Sequence, residues 1–373
     1  MILDQPPIWL IIIAFIAALG PLIFFHELGH YGVARLFKVP AESFSIGFGK
    51  EVFGWTDKRG TRWKVGALPL GGYVKFAGDA DAVSTHGEDD DSDPSHFHNR
   101  PVHERFLIVL AGPVANFILA ILIFAALFSI VGVAQTSTVV GEVVDESAAA
   151  DMGIRSGDRI VSIDGQATRQ FDDVTRIVVL RPEETVEVVV ERDERQVVLE
   201  GQLGAVEQTD DFGQKAIIGR LGVASAEAQF DRLGPVAAVG EGARRTVGFT
   251  RFIWDGVVQI VTGRRSVRDL GGPIKMAQIS GQMWVLGLYS FVFLAAMLSI
   301  NLGFINLLPV PMLDGGHLVF YTIEAIKRSP VSERAQEWAF RGGLAVLLAL
   351  FLFLTLNDLV SVGVVDRLER LIG

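Results

Sequence analysis

The residues with the clearest chemical meaning are His26-Glu27-Leu28-Gly29-His30. On a helix, histidines at i and i+4 share one face, so both imidazoles can reach a single zinc ion. Glu27, one residue on, then stands where it can take a proton from an attacking water. The plainer alternative is a polar helix end facing water, with no metal. Two imidazoles do not complete a catalytic zinc site, which takes three protein ligands and keeps a fourth position open. The chain has no cysteine, so any further ligand must come from an imidazole or a carboxylate. Asp314 stands out among the few charged residues at the ends of apolar runs. It follows Asn306-Leu-Leu-Pro-Val-Pro-Met-Leu, where Pro309 and Pro311 cannot continue a regular helix. Broken backbone is tolerated at membrane depth where it lines a cavity, and such a break would turn the Asp314 carboxylate back toward the histidine pair. Taken alone, Asp before Gly-Gly reads more simply as a turn or helix-capping carboxylate. His317, three residues on, could be a spare ligand or support the ligands from behind, and reads more simply as a surface residue.

The elements that must position these groups are apolar. Of 373 residues, 50% are hydrophobic and 20% charged, with a mean hydropathy of +0.39. These values exclude a disordered or fibrous chain and argue against a purely water-soluble one. The net charge of −10 comes without a pervasive basic surface, which sets nucleic acid aside as a partner. Ile8–Phe25, Phe106–Ala134 and Met276–Leu313 carry no charge, and Gly342–Asn357 resumes as Leu359–Val365 after Asp358. A bilayer core takes about 20 apolar helical residues, so four transmembrane helices are expected, the third over 284–308 and the fourth with Asp358 near an interface. The competing reading is helices buried in a large soluble core. The first run lacks a basic leader and a small-residue cleavage site and leads straight into His26, so it does not read as a removed signal peptide. Basic residues crowd 38–103 and the 314–341 loop, while the N-terminal flank carries only Asp4. By the positive-inside rule those two loops face the cytoplasm, and both termini and 135–275 lie outside; Arg367 and Arg370 run against this. The expected location is a bacterial inner membrane.

Residues 139–203 alternate with period two and are broken by turns at Ser156-Gly157-Asp158 and Asp164-Gly165. With a helix over Phe171–Leu180, this gives a compact β-rich module, bounded as 135–205. Residues 236–262 are apolar but interrupted by Arg244, Arg245, Arg251 and Asp255, which suits a helix lying in the membrane interface. On the other side, 44–48 and 62–65 flank Asp57-Lys-Arg-Gly and predict a hairpin. Glu88–Asp91 with Asp93, among His86, His96, His98 and His103, reads as a solvated acidic loop, with a metal site the less economical alternative. The expected order is therefore 1–37 first span, 38–103 hairpin and acidic loop, and 104–134 second span. Then come 135–205 module, 206–283 linker and interfacial helix, 284–316 third span, 317–340 cytoplasmic loop and 341–365 fourth span.

HELGH at 26–30 together with NLLPVPMLDG at 306–315 resembles the site-2 proteases, intramembrane zinc metallopeptidases, the second motif matching the family's Asn-x-x-Pro-x-Pro-x-Leu-Asp-Gly at every fixed position. Ala111-Gly-Pro-Val-Ala-Asn116 resembles the family's Gly-Pro-x-x-Asn segment, and 139–203 looks like the PDZ domain of its bacterial members. The implied fold is a polytopic α-helical membrane protein of about four spans, with a membrane-associated β-hairpin and one extracytoplasmic PDZ-like domain; some relatives that cleave anti-sigma factors carry two. The resemblance implies Zn2+ held by His26, His30 and Asp314, Glu27 as general base, and Asn306, Pro309, Pro311 and Asn116 toward the substrate. Asn306 would hydrogen-bond near the scissile bond. Implied substrates are single-span proteins of the bilayer, such as trimmed anti-sigma factors and signal-peptide remnants, cut near the cytoplasmic side. The hairpin would hold an unwound segment by β-augmentation or merely pack on the membrane face. A non-catalytic PDZ-bearing scaffold is the alternative, disfavoured by an intact Glu27 and third ligand. The oligomeric state is not encoded in these motifs.

Overall fold

Charge-free runs of this length have to become helices whose backbone groups are satisfied internally. The computed structural model describes residues 6–78, 93–209, 215–226, 228–264, 266–267 and 271–361. Among them are four helices long and apolar enough to cross a membrane: Ile8–Leu36, Val102–Ile130, Leu288–Leu307 and Arg334–Val360. The chain divides into two compact units, one of 1–125, 239–251 and 271–356, the other of 126–238, 252–270 and 357–373.

The first unit opens with α1 (Ile8–Leu36), which carries the HExxH in its C-terminal half. Its N-terminal half presents small residues, Ala14 and Ala18, against Phe291, the close packing that holds helices together where lipid removes the hydrophobic drive. The hairpin follows as β1 (Ala41–Thr56) and β2 (Arg62–Phe76). It is more folded than alternation alone suggests. Ser43–Ile46 pairs with 72–75 on one side and with 62–65 on the other, so that Phe44 lies opposite both Val74 and Trp63. Phe44 is buried, stacks on Trp63 at 4.3 Å and meets Tyr31 of α1 edge-on at 5.9 Å. The hairpin is thus fastened to the helix that bears the histidines. Asp57 closes the turn, accepting from the N–H groups of Arg59 and Thr61 and from Trp63 Nε1.

α2 (Val102–Ile130) follows. The long run at 276–313, expected to hold one helix over 284–308, is divided. α6 (Pro273–Val285) ends before Gly287, whose φ of 108° no L-residue adopts comfortably, and α7 (Leu288–Leu307) begins after it. α6 packs on α1, where Gly281 approaches Ile11. The stretch 317–340, expected as loop, is largely helical: α8 (Asp314–Lys327) fills its first part and α9 (Glu333–Ser361) starts within it. Asp358, near the end of α9, is fully buried.

The second unit is β-rich. β3 (Val133–Thr136), β4 (Val140–Val143), α3 (Ala148–Met152), β5 (Arg159–Ile163) and β6 (Gln166–Ala167) come first. α4 (Phe171–Val179), β7 (Thr185–Arg192) and β8 (Arg195–Gln202) follow. β6, β5, β7 and β8 form one four-stranded sheet, and its buried faces meet α4 through Val174 and Val178. Asp158 is buried and takes two 2.7 Å hydrogen bonds from the Arg192 guanidinium and one from the Arg155 N–H. Those donors hold its carboxyl below the ordinary carboxylate range, the Arg192 hydrogen bond first. The unit runs past the expected boundary at 205. β9 (Gly204–Thr209) pairs with β10 (Lys215–Arg220), β11 (Val223–Ser225) with β4, and β12 (Ala228–Asp231) with β3. α5 (Pro235–Val261) comes next as one continuous helix and contributes residues to both units.

Candidate metal centre

Three side chains converge at the middle of the first unit. His26 and His30, one turn apart on α1, are both buried, and Asp314 is the first residue of α8. The atoms that face one another are His26 Nε2, His30 Nε2 and Asp314 Oδ2. The two nitrogens are 3.2 Å apart, and the carboxylate oxygen lies 3.2 Å from one and 3.5 Å from the other. Zinc bonds of about 2.0–2.1 Å in tetrahedral geometry place neighbouring ligand atoms about 3.3 Å apart. The triangle therefore has the dimensions of one face of a zinc tetrahedron. Asp314 Oδ2 is buried beside the two imidazole Nε2 atoms, a setting in which one shared cation could take all three lone pairs. No other group of three potential ligands occurs among the described residues.

The loop before Asp314 explains its aim. α7 stops at Leu307 and Leu308 is extended. Pro309 sits in a bend where the Val310 N–H donates to the Leu308 carbonyl, and Pro311 and Met312 form a turn closed by the Leu313 N–H on the Val310 carbonyl, with Met312 at a φ of 83°. A non-glycine residue in that region costs about 1–3 kcal/mol and persists where surrounding structure over-determines it. Leu313, not Asp314, sits at the N-cap, and its side chain makes no cap. The simpler expectation of a capping carboxylate is thus not met. Pro311 lies under α9, where Gly343 approaches its carbonyl.

The imidazoles are oriented from α2. His30 Nδ1 donates to the Ile108 carbonyl at 2.9 Å, which leaves its Nε2 lone pair free. Asn116 Nδ2 lies 3.1 Å from His26 Nδ1. Two glycines make this possible. A Cβ on Gly29, between the ligands, would lie 2.3 Å from the Ala111 carbonyl oxygen, and one on Gly112 would lie 2.2 Å from His30 Nε2. Glu27 is buried on the same turn of α1, with its Cγ beneath Gly72 of β2.

Of the other expected site residues, Asn306 lies half-buried in the last turn of α7, Pro309 is exposed and Pro311 is half-buried. Asn116, expected toward substrate, is instead fully buried against His26. His317 is not at the surface: its ring packs against Phe340 at 5.0 Å and Tyr321 at 6.4 Å. His86 and Glu88–Asp91 of the acidic loop lie outside the described residues, while His98 contacts the Gly78 carbonyl. The Ile108 carbonyl was invisible to side-chain reasoning. The glycines at 29 and 112, inside two motifs, were the available signal.

Residues 14–350 match the sequence profile of peptidase family M50. The chain belongs to that family. M50 peptidases are the site-2 proteases, and the protein is a zinc metalloendopeptidase. A protein of Agrobacterium fabrum named as a putative zinc metalloprotease is 46% identical, with 94% of this chain and 96% of that one covered. A Rhizobium meliloti protein of the same description is 43% identical over 92% and 95% of the two chains. Metalloprotease MmpA of Caulobacter vibrioides is 37% identical over 94% and 95%. The PDZ domain of an SdrC-like protein from Listeria monocytogenes matches 26% of this chain and 93% of its own, at 23% identity and a TM-score of 0.20. Membership of M50 and four apolar helices make this an integral membrane protease, and set aside the non-catalytic scaffold.

Proposed function

We propose that His26, His30 and Asp314 hold the zinc, that Glu27 is the general base, and that the enzyme hydrolyses peptide bonds within the membrane-spanning segments of single-span proteins. The observation that carries this reading is the spacing of the three donor atoms, already that of a tetrahedral site, at the end of an apolar helix. Bound there, zinc polarises a carbonyl and brings the pKa of water toward 7. Glu27 takes the proton of the attacking water and returns it to the leaving amine. Asn306, at the end of α7, hydrogen-bonds the substrate near the scissile bond, with Pro309 and Pro311 beside it. A transmembrane substrate hides its backbone in its own helix, so it has to unwind before cleavage. An edge of the β1–β2 sheet, fastened to α1 through Phe44, offers the opened strand partners by β-augmentation.

Basic residues flanking the spans support an inner-membrane orientation with the centre toward the cytoplasm and the β-rich, PDZ-like module outside. There the module restricts access to substrates with small ectodomains, such as trimmed anti-sigma factors and signal-peptide remnants. The test is purified protein with a single-span test substrate. Glu27→Gln should retain zinc and lose activity by about 10²–10⁴-fold, while Asp314→Asn should lose zinc. Undiminished cleavage by the Gln variant, or full zinc content in the Asn variant, overturns the assignment.

A further inference from the structure

Asn116 is fully buried, and its amide is aimed at the rear nitrogen of His26. Its main-chain carbonyl accepts from Ser299 Oγ of α7 at 2.8 Å, which pins the residue from the other side. Its amide oxygen has no partner among the described residues. The protons around the site follow from these contacts. His30 Nδ1 faces a carbonyl, which can only accept, so His30 carries its proton there and offers Nε2 as an acceptor. His26 Nε2 lies 3.2 Å from that acceptor. With Asn116 Nδ2 donating to His26 Nδ1, His26 holds its proton on Nε2, within reach of both His30 Nε2 and the Asp314 carboxylate at 3.2 Å. That arrangement suits the metal-free cluster alone. It cannot bind a metal through His26 Nε2, because that atom has no lone pair to give.

We propose that Asn116 is a positioning residue for the metal ligand His26: its amide turns half a revolution, and the unpartnered oxygen accepts a hydrogen bond from His26 Nδ1–H, freeing Nε2 for zinc. The proposal rests on the reading of His26 as a ligand. No bond is broken except N–H; the imidazole proton moves from Nε2 to Nδ1 and the ring stays neutral. A primary amide is suited to this place because it presents either a donor or an acceptor from one buried position. An aliphatic side chain can do neither, and an ionised carboxylate can only accept. Histidine ligands are ordinarily held this way through their second nitrogen, and loss of that partner typically weakens metal binding by about 10–100-fold.

The experiment titrates zinc into the metal-stripped, full-length protein in detergent against a chromogenic chelator. Asn116→Leu should weaken zinc tenfold to a hundredfold, and Asn116→Asp should bind within threefold of the original chain, because the carboxylate keeps the metal-ready tautomer. Asn116→Ala carries the same expectation as Leu without added bulk, should the larger side chain prevent folding. Zinc binding by the Leu or Ala variant within twofold of the original, or an Asp variant as weak as they are, overturns the proposal. His26→Ala and Asp314→Asn in the same titration separate the two layers. If they lose zinc while the Asn116 variants keep it, only the positioning role fails; if they too keep it, the ligand assignment itself fails.

Discussion

Gly29→Ala tests how the metal centre is held, because the substitution adds one methyl group between the two ligands and touches neither. The added Cβ would lie 2.3 Å from the Ala111 carbonyl oxygen and 2.8 Å from Ala115 Cβ. Both neighbours belong to the body of α2, so neither swings aside. Bringing the closer contact out to 3.0 Å requires α1 and α2 to part by about 0.7 Å. The His30–Ile108 hydrogen bond spans the same crossing at 2.9 Å, and the same displacement stretches it to about 3.6 Å, beyond bonding range. Overpacking of this kind costs about 1–3 kcal/mol. A misplacement near 1 Å at a reacting centre costs on the order of 10²-fold in rate. Cleavage of a single-span test substrate should therefore fall by about that factor, with weakened zinc in the competition titration. Gly32→Ala is the internal control. It lies three residues along the same helix with nothing within 4 Å of its Cβ, and removing a helix-interior glycine gains roughly 0.5–1 kcal/mol, so activity should be unchanged. A folded Gly29→Ala protein with the original turnover and zinc affinity would refute the idea that this crossing sets the ligand geometry.

Two further outcomes follow. Gly112→Ala, on the α2 side of the same crossing, would place a Cβ 2.2 Å from His30 Nε2; zinc content of the purified protein should drop sharply and the stripped chain should unfold at a lower temperature through overpacking, and normal zinc content would contradict the placement of that side chain. In the β-rich unit, Asp158 is ionised and depressed below its ordinary value of 3.8 by Arg192. Its contribution, about 2 kcal/mol for hydrogen bonds to a charged group, is complete above about pH 3.8 and is lost as pH falls through the lower folded value. Hydrogen exchange of the 158–163 amides should thus separate Asp158→Asn from the original chain at neutral pH and converge with it in strong acid; an unchanged gap across the whole range would refute the linkage.

The parts of this protein legible in its sequence are those where chemistry restricts residue type. HExxH could be read because only imidazole and carboxylate serve at those spacings. Asp314 could be read because two prolines and a charge at the end of an apolar run have few other uses. The alternation in β5, β7 and β8 was visible because one face of that sheet is buried against Val174 and Val178. Main-chain geometry was less visible. The division of the 276–313 run depends on one backbone angle at Gly287, and glycine alone does not announce which of its many conformations it adopts. The doubling of β1 between two segments of β2 depends on non-local pairing that period two does not encode. Asn116 was visible as a residue that matters and misread as to what it touches, because sequence gives a position on a helix and not the neighbour it meets.

The Asn116 contact bears on why two distant segments meet at one place. His26 and His30 are separated from Asp314 by most of the chain, and nothing in either motif brings them together. α2 does. His30 is bound to its Ile108 carbonyl and His26 to its Asn116 amide. α7, which leads into the Asp314 loop, is bound to it through Ser299 and the Asn116 carbonyl. α8, which begins with Asp314, is tied back to it where Arg105 meets Glu324 at 2.6 Å and lies over the Tyr321 ring. Each proposed ligand is thus referenced to one helix that contributes none itself. Its own demands are a glycine under His30, an amide behind His26 and a small surface against Gly29, which is why Ala111-Gly-Pro-Val-Ala-Asn116 carries as much of the site as the residues that would touch the metal.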